Sequence, residues 1–325
     1  MSLGPIAYTN VRLLDPEAGL DTMGALLTQD GIIVDFGPDL QDNNIPEKAA
    51  VIDCNGLCLA PGFIDIRVHL REPGEEYKET IETAGLAAAT GGITAMVCLP
   101  NTKPPIDDVS VVEFIARRAR EAKLVKVYTY GTVTRSTKGQ ELTEMGLLSK
   151  AGAVAFTDGT KPISNAMVMS RALSYARSFG LIIVQHPEEP SLAADGVMNE
   201  SEISTRLGLP SIPNAAEAIM LERDIRLVEM TGGRYHAGHV STAEGVAIIR
   251  NAKERGLNVT CDTAPHYFAL NELAVGDYRS FAKLSPPLRS EEDRLAVIAA
   301  LADGTIDIIA YDFNQDGEWD KFKEL

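Results

Sequence analysis

The side chains best suited to chemistry lie in the stretch Pro61-Gly-Phe-Ile-Asp-Ile-Arg-Val-His-Leu-Arg-Glu-Pro-Gly74. Phe63, Ile64, Ile66, Val68 and Leu70 form an apolar run between two Pro/Gly breakers, which predicts a strand. Asp65, Arg67, His69 and Arg71 recur at period two, so the four side chains share one face of that strand. Charged groups on a strand rich in Val, Ile and Leu require partners, and a metal ion with an anionic ligand would supply them. The plainer alternative is an edge strand with a solvated face, and the density of flanking apolar residues argues against it.

Histidine placement extends the pattern. The chain holds five histidines, and His69, His186, His239 and His266 fall at the carboxyl ends of predicted strands. One such histidine by itself is more often a satisfied core or surface residue; four in equivalent positions are read as a ligand cluster. Other strand ends carry Leu99-Pro-Asn101-Thr, Phe156-Thr-Asp158-Gly and Tyr311-Asp312. Imidazole and carboxylate donors without thiolate suit zinc or a similar divalent ion in a catalytic site.

These groups need a scaffold that gathers strand ends. From Ile64 onward, strand candidates (Ile64–Leu70, Ala95–Leu99, Val125–Gly131, Ala153–Thr157, Leu181–Gln185, Arg234–His239, Asn258–Asp262, Ile306–Ala310) alternate with amphipathic stretches. The latter include Lys78–Thr90, Val109–Ala122, Asn165–Phe179, Ala215–Thr231, Thr242–Glu254 and Ser290–Leu301. Alternation of this kind implies parallel strands, and a span of ~250 residues predicts an α/β protein of the (β/α)8 TIM-barrel type over residues 61–310. An open doubly wound sheet competes, but no GxGxxG follows any strand. Residues 1–60 read as short strands of a small β-sandwich-like domain, with Asn55-Gly56 as a hairpin turn, possible completion coming from residues 311–325.

Composition bounds the partners. A net charge of -16 argues against nucleic acid and anionic membranes. No apolar run nears the ~20 residues of a membrane span. Cys54, Cys58, Cys98 and Cys261 form no CxxC pair, so free thiols and a cytoplasmic location are expected, in keeping with the lack of a signal-peptide pattern at the N-terminus.

The strand at Pro61–Gly74 resembles the dihydroorotase entry motif Asp-x-His-x-His-x-Arg-Glu-Pro-Gly, in the amidohydrolase superfamily, except that Arg67 stands in place of the first metal-binding His. The resemblance implies a metal-dependent hydrolase that opens or closes the cyclic amide of dihydroorotate, giving N-carbamoyl-aspartate in pyrimidine synthesis. It implies His69, Asp158, His186 and His239 as metal ligands, Asp158 being the bridging carboxylate of the class without a carboxylated lysine. Arg71 and Asn101 would hold the substrate carboxylate, His266 would add a contact, and Asp312 would shuttle the proton. Leu284-Ser-Pro-Pro-Leu-Arg289 is similar to the segment before the last helix, with Ser285 where Asn is common.

Two departures shape the expectations. Arg67 cannot lose its proton, so it repels a first metal and could pair with Asp158 or Asp312; one zinc ion is expected rather than two. The stretch Tyr311–Trp319 is also similar to a later strand of the family's β domain, in which case Asp312 is not the proton shuttle. Two other readings stay open: a non-catalytic partner of aspartate transcarbamoylase, and another cyclic-amide hydrolase (allantoinase or hydantoinase). A homodimer is a further expectation.

Overall fold

The computed structural model describes residues 4–40 and 44–311, so Asp312 and the rest of the 311–325 segment beyond Tyr311 lie outside the described residues. The chain divides between Phe63 and Ile64 into two compact units.

The first unit holds β1 (Ile6–Asp15), β2 (Leu20–Gln29), β3 (Ile32–Gly37), β4 (Ala50–Asp53) and β5 (Cys58–Leu59). Among the described residues they form one sheet in the order β3-β2-β1-β4, with β5 also on β1, rather than two packed sheets. Ala7, Ala25, Leu27 and Leu40 make its small core. The expected hairpin at Asn55-Gly56 is not one. Both residues adopt positive φ, but β4 and β5 each pair with β1 in parallel, so the turn is a step along one edge.

The second unit alternates strands and helices. Its strands are β6 (Phe63–Val68), β7 (Ile93–Cys98), β8 (Lys126–Gly131), β9 (Ala153–Phe156), β10 (Ile182–Gln185), β11 (Met198–Asn199), β12 (Ser211–Ile212), β13 (Arg234–Ala237), β14 (Val259–Thr263) and β15 (Ile308–Ile309). Its helices are α1 (Ile81–Thr90), α2 (Val109–Ala122), α3 (Met145–Ala151), α4 (Ala166–Ser178), α5 (Pro190–Ala193), α6 (Glu202–Leu207), α7 (Ala215–Thr231), α8 (Ala243–Glu254), α9 (Pro265–Ala269) and α10 (Glu291–Ala302). Among the described residues, eight strands run in the order β15-β14-β13-β10-β9-β8-β7-β6, while β11 and β12 form a separate pair. The ends of the row approach each other where the Tyr311 N–H donates to Asp65 Oδ1 at 3.4 Å.

Helix starts follow sequence chemistry. Thr80, Asp108, Asn165, Thr242 and Ser290 accept backbone N–H groups in the first turns of α1, α2, α4, α8 and α10. Each such cap is worth ~1 kcal/mol, so local sequence fixes where the helices begin. Their inner faces bury Ile81, Ile115, Leu173, Leu221, Ile249 and Val297 against the strands in one continuous core. A second cluster, Val97, Leu99, Tyr130, Ala155 and Val184, contains no helix residue, only strand residues and Leu99 just past β7, and so lies on the side of the row away from the helices. After its exposed first residues Phe63 and Ile64, β6 and the residues that follow it are buried on both sides: Asp65, Arg67 and His69 are each 5% exposed or less, as are Val68 and Leu70. That excludes the solvated edge strand.

Burial of a charged group between α7 and β13 has a measurable consequence. Asp224 is fully buried and accepts from Arg223 Nη2 (2.7 Å) and from the Tyr235 hydroxyl (2.9 Å). Burial pushes its carboxyl up from 3.8 to about 6, the Arg223 charge opposing. The native state therefore holds this proton to higher pH than the unfolded chain does, so its contribution to stability falls as pH rises from about 4 to about 6. The gap is worth roughly 3 kcal/mol at full burial. Chemical denaturation at pH 4.5 and pH 7 should show wild type losing more stability than Asp224→Asn over that interval, and parallel losses would contradict it.

Candidate active site at the carboxyl ends of the strands

The loop after β6 is built by its own motif. Glu72 Oε1 accepts from Arg118 Nε at 2.7 Å and Oε2 from the Ile81 N–H at 2.9 Å, which ties the loop to α2 and to the start of α1. Gly74 adopts φ +103°, and a Cβ there would lie 2.1 Å from the Lys103 carbonyl oxygen, so only glycine lets this loop meet the one after β7. The contact brings His69 and Asn101 together: the Asn101 amide lies 3.1 Å from His69 Nδ1. Arg71, also at positive φ, donates to Glu75 Oε2 at 3.3 Å. Glu75 collects Lys103 (3.0 Å) and Lys78 (3.7 Å) as well. Burial pushes the Glu75 carboxyl up, but these cations outweigh it and hold the group below its ordinary range. Asn101 thus meets His69 and Arg71 meets Glu75, a neighbour that the i,i+4 spacing could have revealed.

Asp158, two residues beyond β9, has both oxygens engaged. Oδ1 accepts from the Val133 and Thr134 N–H groups at 2.9 Å each, and Oδ2 accepts from the Thr134 hydroxyl. Burial nevertheless pushes its carboxyl upward. Asp158 is therefore the clasp of the loop after β8, rather than paired with Arg67.

His186 follows β10 directly and its side chain is wholly buried. Nε2 lies 3.1 Å from Ser285 Oγ, and Ser285 in turn donates to Glu188 Oε2 at 3.2 Å. Nδ1 has no hydrogen-bond partner. Burial pushes the Glu188 carboxyl up, and His186, Arg289 and Ser285 together bring it below its usual range.

His239 follows β13 at φ +59°, a conformation worth ~1–3 kcal/mol of strain in a non-glycine residue that persists only when its surroundings impose it. Asp262 on β14 does so: Oδ1 accepts from the His239 N–H (2.6 Å) and lies 2.8 Å from its Nδ1, while Oδ2 lies 2.9 Å from His236 Nε2. Burial disfavours the Asp262 anion, but the two imidazoles overcome it and hold the carboxyl well below the usual range. The next two residues are fixed by Glu217 of α7, which accepts from Ser241 Oγ (2.5 Å), Thr242 Oγ1 (2.7 Å) and the Thr242 N–H (3.1 Å). His266 of α9 packs edge-on to His239, ring centres 6.4 Å apart. Glu217 carries no sequence signal beyond helical periodicity. Asp262, a carboxylate closing a predicted strand, could have been read from position.

Arg67 is 1% exposed and lies against the peptide before His239: a Cβ on Gly238 would sit 2.7 Å from its Nη1 and 3.3 Å from the Gln185 carbonyl oxygen. Glycine at 238 makes room for the guanidinium. Its charge acts on the buried Tyr130 hydroxyl, which burial and Asp262 push upward and Arg67 pulls down.

The four expected ligands are not gathered as one metal-holding group; among the described residues no three His, Cys, Asp or Glu side chains are so arranged. Two physical reasons are visible: Asp158 spends its oxygens on the loop after β8, and a guanidinium lies beside Gly238. His186 and His239 each carry ring chemistry suited to a metal ligand. The first has a buried, unpartnered Nδ1, and the second has Nδ1 turned to Asp262, the arrangement that commits the other ring nitrogen to a ligand role.

A family profile described as Dihydro-orotase-like matches residues 56–245. A dihydroorotase from Anaplasma phagocytophilum is 48% identical over 310 residues, 94% of this chain and 69% of that protein. One from Desulforapulum autotrophicum is 49% identical over 309 residues, again 94% of this chain and 72% of the relative. Among solved structures, the L-hydantoinase of Arthrobacter aurescens superimposes with a TM-score of 0.84 at 23% identity, covering 99% of this chain and 72% of that one. The dihydropyrimidinase of Brevibacillus agri gives 0.77 at 23%, covering 98% and 71%. At such identity these likenesses establish the shared barrel fold and nothing finer. The profile spans more than half of the chain and the near-half identity runs through almost all of it, and on that ground the chain belongs to the dihydroorotase family.

Proposed function

We propose that this chain is a dihydroorotase, catalysing reversible hydrolysis of the cyclic amide of dihydroorotate to N-carbamoyl-aspartate in pyrimidine synthesis. The observation that carries the reading is the 48% identity to a dihydroorotase across 94% of the chain. The histidines at the strand ends supply the chemistry it requires.

His186 and His239 would hold a divalent ion, zinc by donor type, and one ion rather than two because Arg67 brings a permanent charge to the His239 peptide. When bound, the ion supplies Lewis acidity for the amide carbonyl and acidifies a water to near-neutral pH. Asp158, a ligand by the family resemblance, would reach the ion only with a lone pair not already engaged at Val133 and Thr134. Arg71 would leave the loose 3.3 Å contact with Glu75 to grip the substrate carboxylate, and Asn101 and His266 would add further contacts. Asp312, outside the described residues, is the candidate to carry a proton to the leaving nitrogen.

The test is turnover of dihydroorotate by zinc-loaded protein in both directions. A folded protein with no turnover at any zinc concentration would defeat the proposal. Such a result would favour the second reading, a non-catalytic partner of aspartate transcarbamoylase, which the guanidinium beside Gly238 and the lack of a three-ligand group among the described residues support. Co-purification with that enzyme would decide it, and the mass of the free protein would report a homodimer.

Arg71→Lys gives a sharper check. Lysine keeps the charge and loses the two-pronged fork, worth on the order of 1.5–3 kcal/mol for a charged hydrogen-bonded contact. The Michaelis constant for dihydroorotate should rise roughly tenfold to a hundredfold. The melting temperature should hardly move, and an unchanged Michaelis constant would remove Arg71 from the substrate site.

A further inference from the structure

We infer that Ser285 and Glu188 form a positioning relay that holds His186 as its Nε2–H tautomer and leaves Nδ1 as the ring's bare lone pair. The inference rests on the proposal that His186 is a metal ligand, and it names what makes the correct nitrogen available.

The argument is a count of protons. A serine hydroxyl has one proton to give, and a carboxylate can only accept. Ser285 Oγ lies 3.2 Å from Glu188 Oε2 and gives its proton there. Its remaining lone pairs face His186 Nε2 at 3.1 Å, so this contact is a hydrogen bond only if the ring donates. A neutral imidazole carries one N–H, so Nδ1 must be bare. Independently, Nδ1 is the buried ring atom without a hydrogen-bond partner. A cation is the natural occupant for a lone pair shut off from water.

The relay is anchored at both ends. Glu188 is placed by the turn leaving β10, where its N–H donates to the His186 carbonyl at 3.0 Å. Ser285 arrives from 99 residues away. The segment it belongs to is pinned where Tyr267 donates to the Pro286 carbonyl (2.7 Å) and where buried Arg289 donates to the Ile212 carbonyl and Asn199 Oδ1 (3.1 Å each). Without Glu188 the serine proton is free to turn toward the ring, and Nδ1 then takes the N–H. The ring would be in the wrong tautomer for metal, although its position hardly changes.

The experiment uses the full chain, first stripped of metal. Long-range 1H–15N spectra of 15N-histidine protein, with His186 assigned by its loss in His186→Gln, report the tautomer directly. Zinc affinity is then measured by competition with a chromophoric chelator. The expected result is an Nε2–H ring in wild type. Glu188→Leu and Ser285→Ala should each shift population toward Nδ1–H and weaken zinc roughly tenfold to a hundredfold. Glu188→Gln, whose carbonyl oxygen can still accept the serine proton, should restore both readouts. An Nδ1–H ring in metal-free wild type overturns the inference, with no variant required. An unchanged tautomer in folded Glu188→Leu or Ser285→Ala also overturns it. If the tautomer responds as expected and wild type binds no zinc, the relay stands and the ligand reading of His186 falls.

Discussion

Asp262→Ala is expected to destabilise the barrel by roughly 3–5 kcal/mol, the cost of removing one partner from a buried charged network. The carboxylate serves two imidazoles and one backbone N–H, all with negligible exposure, and alanine leaves each of them without its acceptor. His239 would also lose the bond that imposes its positive φ, so its ring should move. Zinc affinity should therefore fall tenfold to a hundredfold in addition to the stability loss. The pH dependence gives a separate check. Because the native carboxyl is held below its ordinary value of 3.8, its stabilisation is complete above about pH 4 and is lost as pH falls. The gap in stability between wild type and variant should shrink in acid. A gap that is constant down to pH 3, by denaturant titration, would show that the imidazoles do not depend on the Asp262 charge.

Glu217→Ala should be of similar size by a different route. Glu217 is a helix residue that reaches the loop after β13 and satisfies two hydroxyls and two backbone N–H groups at Ser241 and Thr242. Arg289 stands behind it, with Nη2 4.0 Å from Oε2. Removing the carboxylate orphans buried donors at ~1–3 kcal/mol each and leaves a buried guanidinium under-compensated. A loss of roughly 4 kcal/mol and a fall in melting temperature on the order of 10 °C are expected. Glu217→Gln should recover only part, since an amide presents one acceptor oxygen where the carboxylate uses two. A variant that melts within 2 °C of wild type would mean the loop holds itself, as estimated from ~2–4 °C per kcal/mol.

The sequence by itself determined the alternation of elements and most of their limits. Val109–Ala122 and Ala215–Thr231 were legible to the residue, since helical periodicity is a local property. The strand-end histidines were legible for the same reason: the residue just beyond a parallel strand is fixed by counting along one element. Short pieces such as β11, β12 and α6 were not, because two to six residues carry too little periodicity to register. The small domain's hairpin was misread because Asn-Gly specifies a turn, while the partner of each flanking strand is a long-range choice, made here by β1.

Partnerships across the barrel belong to the tertiary structure. Asp158 could be recognised as a strand-end carboxylate, yet only the fold turns its oxygens to Val133 and Thr134. Arg67 could be recognised as a cation on a strand with His69, yet only the fold sets it against Gly238, just past a strand far along the chain. Ser285 meets His186 and Glu188 across 99 and 97 residues of sequence. A hydrogen bond depends on ångström-scale placement of two side chains, and no local pattern in a linear sequence encodes that distance. The residue types announced a hydrolase, and the packing chose which nitrogen, oxygen and guanidinium would face each other.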